Sequence, residues 1–310
     1  MTLYTAGLKI GHVTDAEHHT GCTVFLCPAG TLGSVDVRGP APGGRETTLL
    51  QPDKHVTTLN AVVFAGGSAF GLATADGVMQ YLKERNIGHV TPIRPIPIVP
   101  AAIVYDLFLG GGQVLPDAAM GYQACVNASE TNLAQGNVGV GAGVTVGKWG
   151  GFRAMMKGGF GLASVQEGEL VVFAAAVVNS VGDVLAEDGS VLAGARAEDG
   201  SWLVQRDPWR RFPEIPPVAG TNTTLVLVAT NARFTKAQAQ ILAQRVQDGI
   251  AIAVRPRTIH DGDTAFALST GPLEASFDLV SNMALEMTVE AIRNGVRQAQ
   301  TAAAVPGLAD

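Results

Sequence analysis

The sequence predicts a layered protein of mixed α and β structure, α+β or α/β. Three observations carry this. Short apolar runs bounded by Gly, Pro, Asn and Asp recur along the 310 residues and read as strands. Between them lie segments with apolar residues at helical spacing, clearest over residues 235–254, and strand–helix units at mixed spacing belong to layered αβ folds. Glycine is frequent, 38 of 310 residues against an average near ~7%, which suits tight turns and close backbone approaches.

Taken in order, residues 8–27 hold two apolar stretches split by Asp15-Ala16-Glu17-His18-His19-Thr20-Gly21, a hairpin pattern. Residues 33–47, rich in Gly, Pro and Arg, read as a loop. Residues 61–64 form a short buried strand, broken by Gly66-Gly67. Ser68 then stands where a cap would start a helix to about Arg85, with Leu72, Val78, Met79 and Leu82 apolar. Pro92, Pro95, Pro97 and Pro100 enforce an extended segment. Residues 117–128 read as helix and 136–147 as a glycine-dense strand-turn region. Residues 170–178 are an apolar strand ending at Asn179, and 181–185 continue extended. Residues 190–222, with Pro213, Pro216 and Pro217, read as a flexible linker. A strand follows over 223–230. The helix 235–254 has Thr235 as its cap and Ala239, Leu242, Val246 and Ile250 on one face. Residues 266–269 form a strand, and 273–296 a final helix with Met283, Met287 and Ile292 on its apolar side. There is no sustained internal repeat.

Composition excludes several classes. With 47% hydrophobic and 15% charged residues the chain can bury a sizeable core. A net charge of −6 without a basic block, and 6% aromatics, leave no nucleic-acid footprint. Cys22, Cys27 and Cys125 are odd in number and read as reduced core thiols. The Cys22-x4-Cys27 spacing lacks the second pair that a zinc site needs. No basic-plus-apolar leader opens the chain and no run of 18 apolar residues occurs, so cytoplasm is the expected setting.

Several motifs carry chemistry. Gly66-Gly67-Ser68-Ala69-Phe70-Gly71 approaches the nucleophile elbow G-x-S-x-G but has Phe at position 70 where Gly is required. Gly136–Lys148 fails the phosphate-loop spacing, since Trp149 follows the lysine. His260-Asp261-Gly262-Asp263 lacks the spaced oxygens of a calcium loop and reads as a turn. Gly220-Thr221-Asn222-Thr223-Thr224 runs into the strand and has two readings. One is a turn and a β-branched strand start. The other is self-cleavage: Thr223 Oγ attacks the Asn222 carbonyl, and release of the ester leaves an N-terminal Thr whose hydroxyl is nucleophile and whose α-amine is base.

The runs Gly21-Cys22-Thr23, Asp36-Val37-Arg38-Gly39, Arg45-Glu46-Thr47, Gly66–Leu72, Pro97–Ala102, Gly136–Gly139, Val178–Val184, Asn222-Thr223-Thr224 and Asp261-Gly262-Asp263, in this order over most of the chain, resemble the DmpA-type aminopeptidase family. These are self-processing N-terminal-nucleophile hydrolases that include β-peptidyl aminopeptidases and the nylon-oligomer endo-hydrolase, whose Asn-Thr-Thr junction this chain shares. The resemblance implies a four-layer αββα sandwich, α+β, over residues 1–310 as one domain, cut into 1–222 and 223–310. It implies Thr223 as catalytic nucleophile and Asn222–Thr223 as the cleavage site. Asn179 would serve as oxyanion donor, Lys148 as a buried donor orienting Thr223, and Asp261 and Asp263 as carboxylates beside its amine. The helix start with Ser68 and Phe70 would bind substrate. It implies small peptide or ω-amino-acid amide substrates, neither metal nor organic cofactor, and a homotetramer of αβ units. The alternatives are a self-cleaving acyltransferase of the ornithine acetyltransferase type and a non-catalytic binding protein on the same scaffold.

Overall fold

The structure, a computed structural model, describes residues 3–212 and 220–310. Two five-stranded sheets stack face to face. The first runs Lys9–Asp15, Thr20–Leu26, Ala61–Ala65, Ala101–Ile103 and Gly44–Arg45 in spatial order. The second runs Leu32–Val37, Thr264–Leu273, Thr223–Ala232, Leu170–Asn179 and Phe160–Glu167. Helices Thr74–Glu84 and Ala118–Val126 cover the first sheet, and Lys236–Ala253 and Phe277–Arg297 the second. This is the four-layer αββα sandwich, drawn from both sides of the Asn222–Thr223 bond.

The period-two alternation of strands produces the layering. In the strand Thr223–Ala232, Leu225, Leu227 and Ala229 face the other sheet with Phe25, Phe64 and Phe266, while Val226 and Val228 face Leu242, Val246 and Ile292 of the helices. The strand is the middle one of its sheet, fully buried on both faces, which is why its sequence is continuously apolar. Cys22, Ala61, Val63, Val78, Leu82 and Cys125 fill the outer seam of the first sheet. The three cysteines are free, with Cys22 and Cys125 buried. Thr235 caps its helix in a full capping box with Gln238.

The structure departs from the sequence expectation in five places. Leu32–Val37, read as loop, is an edge strand whose ladder partner is Thr264–Leu273, more than two hundred residues away in sequence. Phe160–Glu167 is a strand concealed by its Gly, Ala and Ser content. It pairs with Leu170–Asn179 through a turn at left-handed Gly168. Ser68 caps nothing: it has φ 56°, in the left-handed region, and opens a 3-10 turn, and the α-helix proper starts at Thr74 without a side-chain cap. The last helix starts at Phe277 with Ser276 as its cap, because residues up to Leu273 are held in the sheet. Residues 190–212 are no free linker. Val191–Ala193 pairs with Asp183–Leu185, and buried Asp183 binds Arg210 Nε at 2.9 Å and Trp149 Nε1 at 2.7 Å. Pro213, Pro216 and Pro217 of that linker lie outside the described residues.

Candidate active site

Thr223 is the first residue of the middle strand, and the chain runs unbroken from Asn222 into it. Asn222, Thr223 and Thr224 are buried. The Asn222 carbonyl oxygen accepts two bonds, from Thr223 Oγ1 at 2.5 Å and from the Gly262 backbone N–H at 2.8 Å. The second arises because Asn222 and Asp261 pair as a parallel bridge at the head of the two neighbouring strands. Gly262 has no room for a side chain. A Cβ there would stand 2.8 Å from Thr223 Oγ1 and 2.5 Å from Ala41 O. Gly262→Ala therefore moves either the hydroxyl or the amide. On the self-cleavage reading, uncut chain should accumulate, read as the full-length band over time; maturation at the wild-type rate would remove Gly262 from the site.

Asn179 ends the neighbouring strand directly across the ladder from Thr223. Its Oδ1 accepts from Lys148 Nζ at 2.8 Å and from Thr145 N–H at 3.1 Å. Lysine and amide N–H only donate, so these two bonds fix which end of the Asn179 amide faces which way. Its Nδ2 accordingly points to Tyr105 O at 3.0 Å and to Thr221 O, on the residue before Asn222, at 3.4 Å. Lys148 follows left-handed Gly147 and is 4% exposed. Its Nζ also donates to Asn179 O and Thr145 O, both at 2.9 Å. The hydrogen bonds thus carry Lys148 to Asn179, and only through it to the residue opposite, Thr223. Burial pushes the Lys148 ammonium down to about 7, against the attraction of Asp261.

Asp261 and Asp263 bracket Gly262. Asp261 accepts from Thr258 N–H at 3.0 Å, from Thr258 Oγ1 at 2.6 Å and from Val181 N–H at 3.3 Å. Asp263 accepts from Thr224 N–H at 2.7 Å and from Arg257 Nε at 2.9 Å. Each carboxylate therefore sits within one residue of Thr223 along the ladder. Burial, and then the charge of Asp261, raise the Asp263 carboxyl to about 6, opposed by Arg257. Arg38 and Gly39 N–H groups close the back of this turn on Asp263 O.

The fold thus brings together Thr223, Asn222, Asn179, Lys148, Asp261 and Asp263. Ser68 and Phe70 stand at its margin. Ser68 N–H bonds Val104 O, next to the Tyr105 carbonyl that holds Asn179, and Phe70 is 67% exposed. Tyr105, Phe108 and Phe152 form a chain of ring contacts, with centroids 4.8 and 4.6 Å apart, leading outward from that point. Sequence reasoning missed the Gly262 amide, the Tyr105 carbonyl and Arg257; a backbone group leaves no residue-type signal. A cavity of about 650 Å³ lined by Arg153, Arg196 and Arg206 holds none of these side chains. Among the described residues no cluster of His, Cys, Asp and Glu could hold a metal ion, and no helix is long and apolar enough to cross a membrane.

This αββα sandwich is shared with solved aminopeptidases of the N-terminal-nucleophile hydrolase fold. A β-aminopeptidase from a Burkholderia species matches with TM-score 0.73 and 22% identity, over 99% of this chain and 93% of that one. The Ochrobactrum anthropi L-aminopeptidase D-Ala-esterase/amidase, described as a variant of that fold, matches with TM-score 0.72 and 18% identity, over 98% and 89%. The family model of peptidase family S58 matches residues 5–309, and the chain belongs to this family. It is a hydrolase of amide bonds. A Mycobacterium leprae protein named as an uncharacterized aminopeptidase is 39% identical over 87% of this chain and 78% of its own. The 6-aminohexanoate-oligomer endohydrolase of Paenarthrobacter ureafaciens is 31% identical over 86% and 74%.

Proposed function

We propose that this chain is a self-processing amidohydrolase with Thr223 as its N-terminal nucleophile. The observation that carries the reading is the arrangement about one buried carbonyl: Asn222 O receives both the Thr223 hydroxyl and the Gly262 N–H. In self-cleavage Thr223 Oγ1 bonds to the Asn222 carbonyl carbon. The charge that develops on Asn222 O meets the Gly262 N–H. The C–N bond then breaks, and the hydroxyl proton ends on the Thr223 nitrogen. Water hydrolyses the ester and leaves an Asn222 carboxylate and a free Thr223 α-amine.

In turnover the α-amine takes the proton from the Thr223 hydroxyl as Oγ1 adds to the substrate carbonyl, and passes it to the leaving amine. Water then releases the acyl group. A free α-amine titrates near ~7.7–8.0, so at neutral pH part of it is free base. Asp261 and Asp263 set its proton affinity and hold the strand head. Asn179 is the oxyanion donor, and Lys148 a positioning residue that locks the Asn179 amide.

The substrates are small peptides or ω-amino-acid amides, bound along Ser68, Phe70 and the Tyr105–Phe108–Phe152 rings. The names of the aminopeptidase and oligomer-endohydrolase relatives support both classes. Membership of a peptidase family favours hydrolysis over the acyltransferase and binding-protein alternatives. A homotetramer of αβ units in the cytoplasm belongs to the same proposal. The test is intact mass with N-terminal sequencing. The purified protein should hold fragments of 222 and 88 residues, roughly 23 and 9 kDa by share of the 32.0 kDa chain, the smaller beginning Thr-Thr-Leu. An uncut chain that hydrolyses amides would sink the mechanism.

A further inference from the structure

Two adjacent residues, Arg257 and Thr258, each grip one of the two carboxylates that bracket Gly262. Thr258 holds Asp261 through its backbone N–H and its hydroxyl. Arg257 places both Nε and Nη2 at 2.9 Å from one oxygen of Asp263, leaving the other for Thr224 N–H. The guanidinium is itself anchored. Its Nη2 donates to Gln247 Oε1 at 2.9 Å and its Nη1 to Gln247 O at 3.3 Å. Gln247 is fully buried in the helix Lys236–Ala253, and its Nε2 bonds Asp36 O at 2.9 Å. A continuous chain of bonds therefore runs from that helix through Gln247, Arg257 and Asp263 to the backbone of the residue after the nucleophile.

We infer that Arg257 is a positioning residue that keeps Asp263 ionised and fixed beside the nucleophile, and so, together with the Thr223 α-amine, shapes the acid limb of activity. The inference rests on the Thr223 reading above. The groups facing Asp263 are few. Its own turn contributes Asp261, whose like charge opposes a second carboxylate, and Arg257. The helix contributes the neutral Gln247. The edge strand contributes Asp36, already paired with Arg38 at 3.0 Å. Lys148 acts on Asp261 from the far side. Arg257 is thus the cation in contact with Asp263 in the uncut chain, and the strand Thr223–Ala232 adds the Thr223 α-amine once that is free. A buried carboxyl raised by desolvation and by a like charge loses its charge as pH falls, and removal of its counter-ion moves that loss to higher pH.

Two measurements test this. In Arg257→Met the acid limb of the kcat/KM profile should move to higher pH by about one unit or more, with Arg257→Lys in between. A limb in the wild-type position would overturn the inference. The second readout is NMR titration of the Asp263 carboxyl in the uncut Thr223→Ala chain, with and without Arg257→Met. It needs no turnover, so it stands even where the nucleophile reading fails, and an unshifted Asp263 titration there also overturns the proposal. Where Arg257→Met does not fold, Gln247→Leu loosens the guanidinium without removing its charge. A smaller shift in the same direction is then expected, and none at all counts against the role.

Discussion

Thr223→Ala should leave a full-length chain with no measurable amide hydrolysis, the largest effect of any single substitution here. The reason is geometric as well as chemical. Among the described residues the hydroxyl that donates to Asn222 O is the group placed to add to that carbonyl, and its loss also prevents formation of the α-amine that turnover needs as a base. Thr223→Ser retains a hydroxyl and should keep part of both reactions. Ser68→Ala serves as the control, since the Ser68 backbone N–H, rather than its side chain, makes the bond to Val104 O. Gel analysis and hydrolysis of a small amide read all three. Hydrolysis by uncut Thr223→Ala, together with its loss in correctly cut Ser68→Ala, would mean that the nucleophile lies elsewhere.

Asn179→Ala should reduce turnover by about 10²–10³-fold per free Thr223 terminus, the effect of losing one oxyanion donor. Self-cleavage should suffer less. In the uncut chain the Asn179 Nδ2 protons point to Tyr105 O and Thr221 O, while the scissile carbonyl already has its donor in Gly262 N–H. On the proposed mechanism, departure of the new chain end carries Thr221 away and frees that Asn179 proton to meet a substrate oxyanion. Lys148→Met should mimic part of this by letting the amide turn, and a restored rate with Lys148→Arg would point to donation rather than to lysine basicity. The decisive measurement is turnover normalised to the amount of Thr-Thr-Leu terminus. If the matured Asn179→Ala fraction works at the wild-type rate, Asn179 is a strand-end turn residue and nothing more.

Much of this site was legible residue by residue. Thr223 at a turn-to-strand junction, Asn179 at the end of an apolar run and the pair Asp261 and Asp263 were visible as residues, but each also read as a turn or a strand start, and their roles came from the resemblance. Their order along the chain matched a family pattern. The hairpin over residues 8–27, the capped helix from Thr235 and the buried strand from Thr223 follow from periodicity and cap chemistry, which are local. Leu32–Val37 and Phe160–Glu167 were not legible as strands, because their apolar pattern is weak and their β conformation is imposed by ladder partners. The order in residues 190–212 was hidden for the same reason: Asp183 and Arg210 meet only in the folded chain.

By itself the sequence determined the class of layers and the residue types available for amide chemistry. Only the tertiary structure decided how those residues are wired. It turned Lys148 onto Asn179 rather than directly onto Thr223, put the Gly262 amide on the Asn222 carbonyl, and tied Asp263 through Arg257 to a helix. The physical reason is that side-chain identity and hydrophobic period are properties of neighbours in sequence. The donor that reaches a given oxygen is fixed instead by strand register and by burial, which excludes water and leads most buried polar groups to take a partner, often from another part of the chain.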